Sequence, residues 1–159
     1  MTPKALVAVT RTSPETVIED VYRCMKEARF QDFLDPSSTV ILKDNISWHF
    51  PFLSANTTPW QLEGVILALK DSGYKDIVCV QNETVVTDAF KGEKLNKYVP
   101  VFKKFNIPVL YNFRESDIKW IKYTPKARMR ILDQIFPEGI SIPEYFLGKN
   151  IIHLQIGRA

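Results

Sequence analysis

Apolar positions along the chain gather into five short runs, at residues 5–9, 39–42, 77–80, 108–111 and 151–154. Each run is continuous rather than alternating. That pattern suits strands buried on both faces, as in a parallel sheet covered by helices. Helical patterns lie between the runs. Ser13-Pro14-Glu15 predicts a helix start, with a cap, a proline at the first position and an acid in the first turn. Ile18, Val21, Met25 and Ala28 then form its apolar face. Thr58 predicts a second cap, Pro59 the first helical residue, and Gln61 completes a capping box. Leu62, Val65, Ile66 and Leu69 recur at helical spacing, and Gly73 ends the helix. A third helix is predicted over 93–105, with Leu95, Val99 and Phe102 inward. A fourth is predicted from Thr124-Pro125 to just before Pro137, and Ser141 to Glu144 as one further capped turn.

Strand and helix in alternation predict an α/β fold, Rossmann-like and three-layered, with a mostly parallel sheet of about five strands. The 159 residues suit a single domain, 1–159, with a real core. No linker, low-complexity tract or repeat interrupts it.

Charge and composition narrow the function classes. A formal net charge of +3, with Lys and Arg scattered, gives no nucleic-acid footprint. No 18-residue apolar run is present, so no membrane span is expected. The first residues do not form a secretory signal, because Arg11 interrupts a short apolar stretch, so a cytoplasmic protein is expected. The Asn-x-Ser/Thr triplets at Asn45, Asn56 and Asn82 are accordingly read as polar loops. Cys24 and Cys79 are read as small buried hydrophobes, and two cysteines do not make an ordinary iron–sulfur site. His153, within an apolar strand, is expected to be a hydrogen-bonded core histidine, and His49 a packed loop residue between Trp48 and Phe50.

In open α/β sheets ligands bind beyond the carboxyl ends of the strands. Four such ends carry polar residues: Thr10 to Ser13, Lys43-Asp44-Asn45, Gln81 to Thr84, and Asn112 to Glu115. Lysine and arginine beside amides and hydroxyls predict a crevice for an anion. Lys43 would neutralise it. Asn45, Asn82 and Arg11 would help bind it, Thr58 would cap the helix facing it, and Glu83 is the candidate acid/base residue. The glycines lack the spacing of a dinucleotide or phosphate-cradling loop. His49, Asp44, Glu83 and Asp88 lack any diagnostic metal-ligand spacing, so no metal site is assigned, and no cofactor is named. Residues 43–61 are long for a strand-to-helix link and carry Trp48, Phe50, Phe52 and Trp60. Residues 43–58 are predicted to fold over the carboxyl edge as a partly ordered lid.

Lys43-x-Asn45 after an apolar strand, Thr58-Pro59 opening a helix, then Gly73 and a second apolar strand, resembles the N-terminal half of the domain-of-unknown-function 362 family. The resemblance runs from about Val40 to Leu154, and residues 148–154 look like the strand leading into that family's second half. It implies an N-terminal part of a longer domain. The Pro-Thr-x-Lys-x-His type segment that continues the family pattern is not present here. Iron–sulfur chemistry in that family belongs to attached ferredoxin modules and does not carry over. On this reading Ile151, Ile152, Leu154 and Ile156 lose their cover, the chain is marginally stable, and it self-associates through an open sheet edge. Two functions follow as expectations: binding of an anionic small molecule or cofactor at the strand ends, or a non-catalytic interaction or scaffold module.

Overall fold

The computed structural model describes residues 6–127 and 129–156. Its centre is a parallel sheet of four strands: β1 (Val40–Lys43), β2 (Ile77–Gln81), β3 (Val109–Tyr111) and β6 (Asn150–His153). The strand order is β3-β2-β1-β6. Four of the five predicted runs therefore form strands, and the fold class is α/β. The first run does not join the sheet. Residues 6–9 have no regular structure, with Val7 and Val9 79% and 84% exposed, while Ala5 lies outside the described residues. The sheet thus has four strands, not five.

Helix α1 (Val17–Glu27) packs along α2 (Pro59–Asp71), and α3 (Ala89–Leu95) is followed by α4 (Tyr98–Phe105). The predicted cap of α2 is present: the Thr58 hydroxyl accepts a hydrogen bond from the Gln61 amide at 3.1 Å. Gly73 adopts φ +87 just beyond the helix, as a left-handed C-terminal residue should. The start of α1 differs. Ser13 to Thr16 form a turn, and the helix begins at Val17. The predicted third helix also breaks. Asn96 turns its buried amide onto the Gly92 carbonyl and onto Asn56, and Lys97 takes φ 64, so α3 and α4 are separate.

One side of the sheet carries the main core. Val40, Leu42, Ile77 and Cys79 pack there with Leu62, Ile66 and Leu69 of α2 and Tyr98 and Phe102 of α4. Gly64 lets α1 approach closely, since a Cβ there would lie 2.7 Å from the Ile18 carbonyl oxygen. The opposite side is smaller. Ile41, Val78, Val80 and Leu110 of the sheet meet Ile118, Tyr145 and Phe146, contributed by a loop and a short turn rather than by the predicted helix. In the region predicted as helix 124–136, the described residues form α5 (Leu132–Ile135) and no other helix. Its neighbours are two antiparallel strands, β4 (Trp120–Tyr123) and β5 (Ile140–Pro143), the latter covering part of the turn predicted at 141–144.

Strand β6 pairs with β1 from Val40 opposite Asn150 to Lys43 opposite His153. It has no second neighbour among the described strands. Ile151 is 47% exposed, but Leu154 is buried and Ile152 and Ile156 are half-buried, so the predicted loss of cover is confined to Ile151. His153 is exposed, contrary to its reading as a core histidine, because its alternation along β6 turns it outward. Among the described residues, no helix is long and apolar enough to cross a membrane.

Candidate functional site

Side chains in a strand alternate between faces. On the helix-covered face, the row Val40-Leu42 continues to Asp44, and the row Ile77-Cys79 continues to Gln81. Two apolar rows therefore end in polar residues that remain buried: Asp44 is 0% and Gln81 1% exposed. Gln81 Nε2 donates to Asp44 Oδ2 at 2.8 Å, joining the two rows. On the next strand, the Tyr111 hydroxyl donates to Glu93 Oε2 at 3.2 Å, and Glu93, from α3, is itself buried. A polar layer thus sits on the core at the carboxyl edge of the sheet.

Two carboxyl groups in this layer have an oxygen with no hydrogen-bond partner among the described residues: Asp44 Oδ1 and Glu93 Oε1. Burial raises Asp44 from 3.8 to about 6, against the opposing pull of the Lys43 ammonium and the Gln81 amide. Burial likewise raises Glu93 from 4.5 to about 7; the Tyr111 hydrogen bond opposes this and the Asp44 charge adds to it. Burial, then the charges of Asp44 and Cys79, also push Tyr98 up, and Cys79 is raised by burial and by Asp44. Carboxyls displaced in this way by burial and a like charge mark candidate functional sites.

A cleft opens at the carboxyl ends of β1 and β2, and the buried Gln81 reaches its floor. Lys43, Asn45, Ser47, Gln81, Asn82 and Thr84 line this cleft of about 260 Å3. The Lys43 ammonium also donates to the Asp44 carbonyl oxygen at 2.7 Å. Residues 45–57 form the loop above. Its neck is closed by Asn45 and Thr57: the Thr57 amide donates to the Asn45 carbonyl, and the Asn45 amide to the Thr57 hydroxyl, each at 2.8 Å. Asn56, 1% exposed, holds the interior of the loop. Its Oδ1 accepts from the Ser47 and Trp48 amides, and its Nδ2 donates to the carbonyls of Trp48 and Phe50 and to Asn96 Oδ1. Gly92 of α3 lies directly beneath, where a Cβ would come within 2.9 Å of Ile46. The sites read as polar loops at Asn45 and Asn56 are therefore structural linchpins of this loop.

No family model matches the chain, and comparisons with curated proteins and solved structures return no match.

Of the predicted site residues, Lys43, Asn45 and Asn82 meet in one cleft. Glu83 is exposed between Asn82 and Thr84 and is not among the lining residues. Thr58 lines a different, largely apolar hollow of about 380 Å3 with Thr12, Ser13, Leu53 and Trp60. Arg11 is exposed and precedes Thr12 in the chain. Of the residues weighed for metal, Asp44 is fully buried, and no cluster of three or more His, Cys, Asp or Glu among the described residues is arranged to hold an ion. His49 is half-buried against Trp48 and Phe50, with ring centroids at 6.0 and 4.6 Å. The buried carboxyls Asp44 and Glu93 and the linking Gln81 were not predicted as functional. The available signal was the continuation of two buried rows, at every second residue, into Asp44 and Gln81.

Proposed function

We propose that the chain binds a small anionic molecule in the cleft between the carboxyl ends of β1 and β2. One observation carries the reading: Lys43 lines a hollow of about 260 Å3 together with Asn45, Ile46, Ser47, Gln81, Asn82 and Thr84. A single cation among amides and hydroxyls suits a carboxylate or phosphate group on a molecule that also carries hydroxyls. The size favours a compact metabolite over a dinucleotide. The architecture behind it is read as Rossmann-like. Its relationship to the domain-of-unknown-function 362 family belongs to the same reading, on Lys43-x-Asn45, Thr58-Pro59 and Gly73.

The test is thermal unfolding against phosphate, nucleotides, 2-hydroxy acids and divalent metals. A ligand at a hundred times its Kd stabilises by about 2.7 kcal/mol, a shift of several degrees for a chain of this size. An anion-dependent shift is expected, and it should disappear in Lys43→Met. Absence of a saturable shift with every anion counts against the proposal.

A second reading, a non-catalytic interaction module, is favoured by the loop tip. Trp48 and Phe52 stack at 5.4 Å with planes 5° apart, and both remain more than 40% exposed, at 43% and 48%. Aromatic surface of that kind is common at protein contacts.

A further inference from the structure

We infer that an anion bound beside Lys43 is taken up together with a proton captured by the buried Asp44–Glu93 pair. This rests on the anion reading above and concerns how that same cleft is regulated.

The geometry that carries it is the double use of one ammonium. Lys43 lines the cleft, and its Nζ also lies on the Asp44 main chain, 2.7 Å from the carbonyl oxygen. Behind it the Asp44 carboxyl is fully buried, bonded to Gln81 through Oδ2 and without a partner at Oδ1. Glu93, 5% exposed, also has one carboxyl oxygen without a partner.

The groups facing the pair come from each surrounding element. β1 supplies Lys43, β2 supplies Cys79 and Gln81, α3 supplies Glu93 itself, α4 supplies Tyr98, and β3 supplies Tyr111. Lys43 is the cation among them, and the Arg114 guanidinium lies over the Tyr111 ring, 4.9 Å from its centroid. The ammonium therefore offsets the burial that disfavours an ionised Asp44. A ligand anion arriving at Lys43 answers the same positive charge and adds a negative one near two buried carboxyls. A proton from solvent then settles on the pair, on an oxygen that makes no other hydrogen bond. One O–H bond forms on that oxygen, its proton given up by the buffer acid in solution, and no other bond forms or breaks.

Linkage is reciprocal, so a proton captured with the anion makes the affinity rise as pH falls. With Asp44 at about 6 and Glu93 at about 7, the effect falls in the range where both carboxyls titrate. For one proton per anion, Kd drops about tenfold per pH unit.

The experiment is titration calorimetry with lactate and with sulfate, neither of which titrates between roughly pH 5.5 and pH 8. It is run in two buffers of different ionisation enthalpy. The expected result is buffer-dependent heat reporting net proton uptake, a Kd that falls as pH falls, and loss of both when Asp44→Asn and Glu93→Gln are combined. Saturable binding with equal heats and a pH-independent Kd overturns this inference and leaves the anion reading standing. No saturable binding of either probe at any pH overturns both. A ligand-free measurement backs the assay: carboxyl NMR should show the Asp44 titration moving upward in Lys43→Met and staying in place in Lys43→Arg. An unchanged titration in Lys43→Met overturns the inference as well.

Discussion

Replacing Asp44 with asparagine should make the protein more stable at alkaline pH. Asparagine keeps the shape of the side chain and an oxygen to accept the Gln81 Nε2 bond. It removes only the buried charge. Asp44 is displaced from 3.8 to about 6 in the folded chain. Because the folded-state value is raised, the native protein holds this proton more tightly than the unfolded chain does. The contribution is fully present below 3.8 and is lost as pH rises to about 6. The displacement corresponds to about 3 kcal/mol, an upper figure for one carboxyl. Asp44→Asn should therefore match the parent chain near pH 4 and exceed it by up to about 3 kcal/mol near pH 8. Relief of the repulsion felt by Glu93 acts in the same direction. Urea unfolding at several pH values, with equal slopes for the two proteins, reads the gap from their midpoints. A gap that does not change with pH, or a variant less stable at pH 8, refutes the claim that Asp44 is a strained buried charge. A stabilising change at a buried charge is also what a site kept for function, at some cost in stability, should show.

Asn56→Ala removes the hydrogen bonds that hold the 45–57 loop and leaves buried main-chain groups unmatched, so a loss of about 3–5 kcal/mol is expected in denaturant unfolding. Gly64→Ala places a Cβ against the Ile18 carbonyl and the Val21 side chain and should cost about 1–3 kcal/mol by pushing α1 away from α2; an unchanged midpoint would show that the helices have room to spare. Lys104→Ala loses an ion pair to Glu63 and a contact over the Phe105 ring, both made by a lysine that is 60% exposed, so a change within about 1 kcal/mol is expected, and a larger one measured by the same assay would mean these contacts are less hydrated than that exposure implies.

The strands that read most clearly were those buried on both faces, since β1 and β2 have no solvent side to introduce polar residues. Helix α2 was legible from its two ends, where Thr58-Pro59 and Gly73 carry local instructions. Other elements depend on distant partners. The break between α3 and α4 comes from Asn96 reaching Asn56 and Gly92, a contact that local helix preference does not reveal. The β4–β5 pair escaped because Trp120 to Tyr123 is mostly exposed and carries little of the apolar signal used to find strands. The first apolar run misled for the opposite reason: a strand-like composition does not oblige a segment to find a neighbour. At the site, Lys43, Asn45 and Asn82 were legible from their place after strands. Asp44 and Glu93 were not, because their chemistry comes from burial by α3, β2 and β3 together.

The pairing of β6 with β1 bears on how the chain is made. Asn150 is tied by its side chain to the Asp35 main chain, 115 residues earlier, and Thr57 hydrogen-bonds the Leu154 carbonyl. A ribosome delivers β1, α2 and β2 long before it delivers β6. Throughout that interval one flank of β1 has no native neighbour, and the neck of the 45–57 loop lacks one of its anchors. Closure of the sheet is thus a late step of high sequence separation, which slows folding and lengthens the time an unsaturated strand spends in the cell. The nascent protein should pass through a protease-sensitive, chaperone-binding stage that ends only when residues 150–154 emerge.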